Sequence, residues 1–151
     1  MTKKIFVDTD VVFDLLAKRE PFYEYAARLF TNADKQEVII CVSSLCFGNL
    51  NYILSKQKTA IEARKILSRF KVLVKVLPVD DKVIELALNS DFGDFEDAIQ
   101  YYCAIEHGIN ILVTRNLKDF KHAKIPVLTA CSLPHFQTTH KYNNLIIYFI
   151  N

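Results

Sequence analysis

Three glycines and four prolines in 151 residues leave little for linkers, so one domain is the natural reading. The glycines form no phosphate-cradling loop, and no nucleophile elbow is present. The cysteines, Cys41, Cys46, Cys103 and Cys131, show no C-x-x-C spacing. The first three sit in apolar runs, which predicts buried free thiols in a reducing compartment. His107, His122, His135 and His140 lack ligand spacing and lie in polar contexts, as surface side chains do. No apolar run approaches the roughly 20 residues that a membrane span needs. Lys3 and Lys4 are followed by only three apolar residues before Asp8, too few for a secretory signal. The expectation is a cytoplasmic protein without a membrane partner. The net charge of +2 is nearly neutral, so bulk charge points to no partner.

Apolar residues, by contrast, are abundant at 51%, enough for a substantial core. Residues 5–7 read as a short buried strand ending at Asp8, after which Asp10 is placed to cap a helix from residue 11 to about 18. Pro21 suits the first turn of a second helix, whose face is Phe22, Tyr25, Ala26, Leu29 and Phe30. Residues 38–42 form a continuous apolar run, hence a strand buried on both faces. Ser43 or Ser44 caps the helix that follows. Thr59 and Glu62 have capping-box spacing ahead of a helix with Ala63, Ile66, Leu67 and Phe70 inward. Residues 72–77 predict a strand stopped by Pro78, and Asp80 opens another helix. A helix is expected from about residue 95 to 107, with Gly108 just past its end. Residues 111–113 and 125–128 complete a set of five strands. Strands alternating with helices imply a three-layer α/β fold, a parallel sheet with helices on both faces. We assign residues 1–133 to this domain and 134–151 to a tail, which holds the apolar hexamer Leu145–Ile150.

Sites in such sheets gather outside the carboxyl ends of the strands. Three polar clusters fall there. One is Asp8-Thr9-Asp10. The second is Asp91, Asp94, Glu96 and Asp97 at the start of the 95–107 helix. The third is Thr114, Arg115, Asn116 and Asp119 after the 111–113 strand. Carboxylates converging from separate elements suit a hard divalent cation such as Mg²⁺, which can stabilise a phosphoryl transition state. The same acids also suit helix caps: Asp94 as an N-cap, Asp97 three residues on, Glu96 favoured by the helix dipole, and Asp10 as a cap. Basic residues gather around one helix (Lys56, Lys58, Arg64, Lys65, Arg69, Lys71) and after the third cluster (Arg115, Lys118, Lys121, Lys124). Such groups beside an acidic centre suit a nucleic-acid backbone; they also suit a solvated helix face.

The segments FVDTDVVFDLL, DFEDAIQYYCAIEHGINILVTRNLKDF and VLT resemble the PIN domain family of VapC-type toxin ribonucleases, over roughly residues 4–130. The match is to the bacterial subgroup with a DFEDA motif and a TRN-x-x-DF turn. The resemblance implies a Rossmann-like sheet and Mg²⁺- or Mn²⁺-dependent cleavage of RNA. It also implies an antitoxin partner and a homodimer. Asp8 and Asp97 match family acids that hold the metal. Asn116 matches a position that is often Asp, Asp119 lies three residues on, and Thr114 matches a small hydroxyl residue. Asp94 joins Asp8, Asp97 and Asn116 in the expected metal set. Arg115, Lys118, Arg64 and Lys65 are the expected RNA contacts. Many members carry a glutamate in the helix after the second strand. Here that segment, SSLCFGNLNYIL, has no acid, and Asn49 occupies the position. An amide oxygen can ligate Mg²⁺ but brings no charge. A non-catalytic PIN-like module that binds RNA or protein is therefore the second expectation. The third is a haloacid-dehalogenase-type phosphohydrolase, with Asp8 as nucleophile in Asp8-Thr9-Asp10-Val11-Val12 and Gly93-Asp94 as its late pair.

Overall fold

The computed structural model describes residues 1–133. The tail assigned to residues 134–151 lies outside the described residues. Five parallel strands form one sheet: β1 (Lys3–Val7), β2 (Val38–Ser43), β3 (Lys75–Leu77), β4 (Leu112–Val113) and β5 (Val127–Leu128). Their order across the sheet is β3-β2-β1-β4-β5. Chain order reverses beside β1, so the switch point of the sheet lies between β1 and β4, where Val7 is registered with Val113.

Side-chain alternation along the strands splits the core in two. Ile5, Val7, Val38, Ile40 and Val42 face α1 (Thr9–Leu16), α2 (Tyr23–Asp34), α3 (Ser44–Leu54) and α4 (Ala60–Lys71). Phe6, Cys41, Leu77 and Leu112 face α5 (Asp81–Leu88) and α6 (Phe95–Glu106). The expected three-layer architecture is the observed one. Phe6, Phe30 and Phe70 are fully buried, and each such side chain contributes roughly 1.5–3 kcal/mol. Cys41, Cys46 and Cys103 are buried and free, as expected; Cys131 is free and exposed.

Most helix signals hold. Thr59 and Glu62 form the capping box of α4, Ser43 caps α3 and Asp80 caps α5. Gly108, at φ +68°, ends α6 in a Schellman turn, with Gly108 N–H on the Ile105 carbonyl and Ile109 N–H on that of Ala104.

Three expectations need correction. Asp8, not Asp10, caps α1: its carboxylate takes the Thr9 N–H at 2.8 Å, so the helix starts two residues early. Pro21 precedes α2, which begins at Tyr23. The third strand is only residues 75–77, because α4 runs to Lys71 and Val72 serves as its C-cap.

Candidate active site

The ladder between β1 and β4 continues one residue past each strand. Asp8 N–H donates to the Val113 carbonyl at 2.9 Å, and Thr114 Oγ1 donates to Asp8 Oδ2 at 2.9 Å. Asp8 and Thr114 are both buried. Residues 106 positions apart in the chain thus meet at the switch point. Burial, the Asp10 charge and the Asp97 charge raise the Asp8 pKa to about 8 against the hydrogen bonds that lower it.

Asp10, in the first turn of α1, turns toward the exit of β4. Its Oδ2 accepts the Arg115 backbone N–H at 3.3 Å, while its Oδ1 is buried without a hydrogen-bond partner. Burial is the main cause that raises its pKa.

Asp97 comes from the opposite face of the sheet. Asp94 caps α6 by accepting the Asp97 N–H at 2.9 Å. In α4 the Glu62 carboxylate returns the cap bond. In α6 only the forward half of the box exists, so the Asp97 carboxylate is left for the site. Its pKa rises to about 7, first through burial, then through Asp94, Asp119, Glu96 and Asp10. Phe92 holds this corner together, packing on Tyr101 at 5.1 Å and on Phe120 at 6.0 Å between ring centroids. Phe120 closes the short 3-10 turn Leu117–Phe120 that carries Asp119. Asn116 is exposed, with its backbone N–H on Thr114 Oγ1 at 3.1 Å.

Asn49 in α3 reaches across to α6 and donates to Glu96 Oε1 at 2.6 Å. Burial and Asp94 raise the Glu96 pKa while this bond opposes them. The neutral amide therefore sits on a carboxylate that arrives from another helix.

Two residues of the centre were not anticipated from the chain. Asp14, one turn beyond Asp10, is 1% exposed. Its pKa rises to about 6 through burial, against the pull of Arg115 and Arg19. Gln100, one turn beyond Asp97, is fully buried and donates to Thr9 Oγ1 at 3.1 Å. Its signal was a polar residue among the inward Ala98, Tyr101, Cys103 and Ala104.

Arg115, expected at RNA, is half-buried against the domain itself. Its Nε lies 3.0 Å from Asp14 Oδ2 as an ion pair without hydrogen-bond alignment, and its guanidinium stacks 4.4 Å from the Phe22 ring centroid. Lys118, Arg64 and Lys65 are exposed.

Asp8, Asp10, Asp97, Thr114 and Asn116 make an all-oxygen set. Mg²⁺ needs only one or two carboxylates and keeps several waters. Asp8 and Asp97 satisfy that requirement, and the orphaned Asp10 Oδ1 adds an oxygen without a partner. The donor set fits a hard cation. Among the described residues, no group of three acids, histidines or cysteines is gathered tightly enough to hold a metal as it stands.

Residues 4–118 match the PIN domain. The chain belongs to the PIN domain family. Ribonuclease VapC1 of Aquifex aeolicus is 29% identical over a 136-residue alignment that covers 85% of this chain and 91% of that protein. Among solved structures, this PIN fold is similar to VapBC2 of Rickettsia felis bound to a DNA fragment from its promoter. The TM-score is 0.62 at 21% identity, covering 83% of this chain and 96% of that one. It is also similar to the sarcin–ricin-loop-cleaving toxin VapC20 of Mycobacterium tuberculosis. There the TM-score is 0.56 at 23% identity, covering 72% of this chain and 86% of that one. Among the described residues of this PIN chain, no helix is long and apolar enough to cross a membrane.

Proposed function

We propose that this chain is a divalent-metal-dependent ribonuclease and the toxin of a toxin–antitoxin pair. The observation that carries the reading is the convergence of Asp8 and Asp97 at the β1–β4 switch point. Asp8 follows the end of β1 and Asp97 lies in the first turn of α6; the Asp97 charge raises the proton affinity of Asp8, and the Asp10 charge raises that of both. The names of the VapC relatives support the same activity and an antitoxin partner, and the family resemblance supports a homodimer.

In this reading Asp8 and Asp97 hold Mg²⁺ or Mn²⁺, with Asn116, Asp119 and Asp94 bordering it. The ion, when bound, supplies water activation and charge stabilisation at a phosphoryl group. Thr114 fixes the Asp8 carboxylate, and the Thr9 N–H holds its other oxygen. Asp10, Glu96 and Asn49 set the local charge. All of these residues fall within the proposed domain 1–133.

The test is cleavage of a labelled RNA pool with Mg²⁺ or Mn²⁺, wild type against Asp97→Asn. Metal-dependent cleavage lost in the variant is expected. Cleavage retained by Asp97→Asn would remove these assignments.

A non-catalytic PIN-like module is the second reading. Asn49 favours it, because the amide adds no charge where many members have glutamate. A folded wild type that binds RNA at millimolar metal without cutting it would select this reading. The phosphohydrolase reading is set aside: Gly93-Asp94 follows α5 rather than a strand.

A further inference from the structure

α1 and α3 both begin at the carboxyl edge of the sheet, capped by Asp8 and Ser43. Their far ends, together with α4, line a groove of about 500 Å³. Its lining includes Lys18, Lys58, Lys65 and Arg69. The acid in the lining, Glu62, is already engaged by the Thr59 N–H at 2.9 Å and the Thr59 hydroxyl at 3.0 Å. The groove is therefore strongly cationic in a protein of net charge +2. An eight-residue helix such as α1 is about 12 Å long, so the groove lies roughly that far from the Asp8 end.

A path joins the two places. Asn49 and Tyr52 are spaced i, i+3 on one side of α3, and Lys56 lies in the turn just past its C-cap, Ser55. Asn49 touches Glu96 at the acid centre. Tyr52 is 65% exposed, and Lys56 Nζ lies 4.1 Å from its ring centroid. Lys58, two residues past Lys56, is in the groove. Exposed aromatic rings beside a cationic groove are how proteins hold single strands: bases stack, phosphates pair with cations.

We propose that the groove and Tyr52 form a binding track for single-stranded RNA, with phosphates on Lys58, Lys65 and Arg69 and a base on Tyr52. The track holds the strand one helix length from the acid centre and so fixes which bond reaches it. The proposal rests on the ribonuclease reading. An acidic peptide would match the charge of the groove but not the exposed ring on the path to it.

The test measures anisotropy of a labelled RNA oligonucleotide with the full chain in EDTA, so that no cleavage intervenes. Lys65→Gln/Arg69→Gln should weaken binding about tenfold and lower the salt slope by about 1.4, near 0.7 per cation removed. Tyr52→Ala should weaken it by about tenfold as well. Lys4→Gln/Lys75→Gln makes the same charge change beside Cys41, on the opposite face of the sheet. It should leave affinity within twofold, and melting temperatures should show all variants folded. Equal losses in both double variants, or none in the groove pair, would overturn the track. So would polyglutamate bound in a groove-dependent way while RNA ignores the groove, which would give the groove to an acidic peptide. RNA bound through the groove but never cut with Mg²⁺ or Mn²⁺ would end the ribonuclease reading and leave the track standing. Metal-dependent cutting with groove-independent binding would do the reverse.

Discussion

Thr114 donates its hydroxyl to Asp8 across the switch point of the sheet, at 2.9 Å and out of contact with solvent. That bond joins the end of the first strand to the end of the fourth. Thr114→Val keeps the shape and removes the donor. Hydrogen bonds to charged groups are worth about 1.5–3 kcal/mol, so urea unfolding above pH 8 should register a loss in that range. Thr114→Ser should restore most of it. A valine variant as stable as wild type would mean that Asp8 needs no partner there.

Arg115 carries a structural expectation beside the RNA contact its sequence position suggests. It lies against buried Asp14, so Arg115→Met removes the nearer of that carboxylate's two cations and leaves Arg19 at 3.8 Å. Breaking a buried pair from one side costs about 3–5 kcal/mol, and the remaining Arg19 should hold the loss to about 3 kcal/mol or less. Asp14 can escape by taking a proton, since its pKa already stands at about 6. The loss should therefore be larger at pH 8 than at pH 5, and Arg115→Met/Asp14→Leu should recover much of it. An Arg115 variant with weakened RNA binding and unchanged stability would contradict this.

The raised acids set the pH dependence of the metal-free protein. Asp8 at about 8, Asp97 at about 7 and Asp14 at about 6 all exceed the ordinary 3.8. The folded chain then binds more protons than the unfolded chain between that value and the folded ones. Their stabilisation is complete below 3.8 and is lost as pH rises through the folded values. Melting temperature in EDTA should fall from pH 5.5 to pH 8.5, about as far as these groups dominate, and less steeply in Asp97→Asn. Added Mg²⁺ competes with those protons and should raise the melting temperature more at pH 8 than at pH 6. A melting temperature that climbs with pH in EDTA would show that the acids are not strained.

Asn49 is neutral where it meets Glu96. Asn49→Asp puts a second negative charge there. Without metal it should lower stability by about 1 kcal/mol at pH 8, the scale of a close like-charge pair near the surface. With Mn²⁺ it should tighten binding severalfold in calorimetry. Binding unchanged by Asn49→Asp would place the ion away from this pair.

How much of this was legible in the chain depended on range. Local signals carried the helix starts: Thr59 with Glu62, Ser43, Asp80 and Asp94 cap as their spacing predicts. The continuous apolar run at 38–42 carried the two-sided burial of β2. Asp8 and Asp10 were harder, because both are good caps two residues apart. The choice is made by Arg115, whose backbone N–H draws Asp10 away from the helix start. Residues 72–77 read as a strand because all but Lys75 are apolar, yet the C-cap of α4 consumes Val72. Asp14 and Gln100 are decided by longer-range contacts, to Arg115 and Thr9. One turn past an expected ligand, a polar residue reads as solvent-facing until a distant element covers it.

The pairing of β1 with β4 also orders events in time. The ribosome makes Asp8 and Asp10 almost at once, but their neighbours Thr114 and Arg115 are about a hundred codons away. A nascent chain halted before β4 holds half a centre and no closed sheet. Whatever this centre does, it cannot begin to do it until β4 and the turn after it have been made.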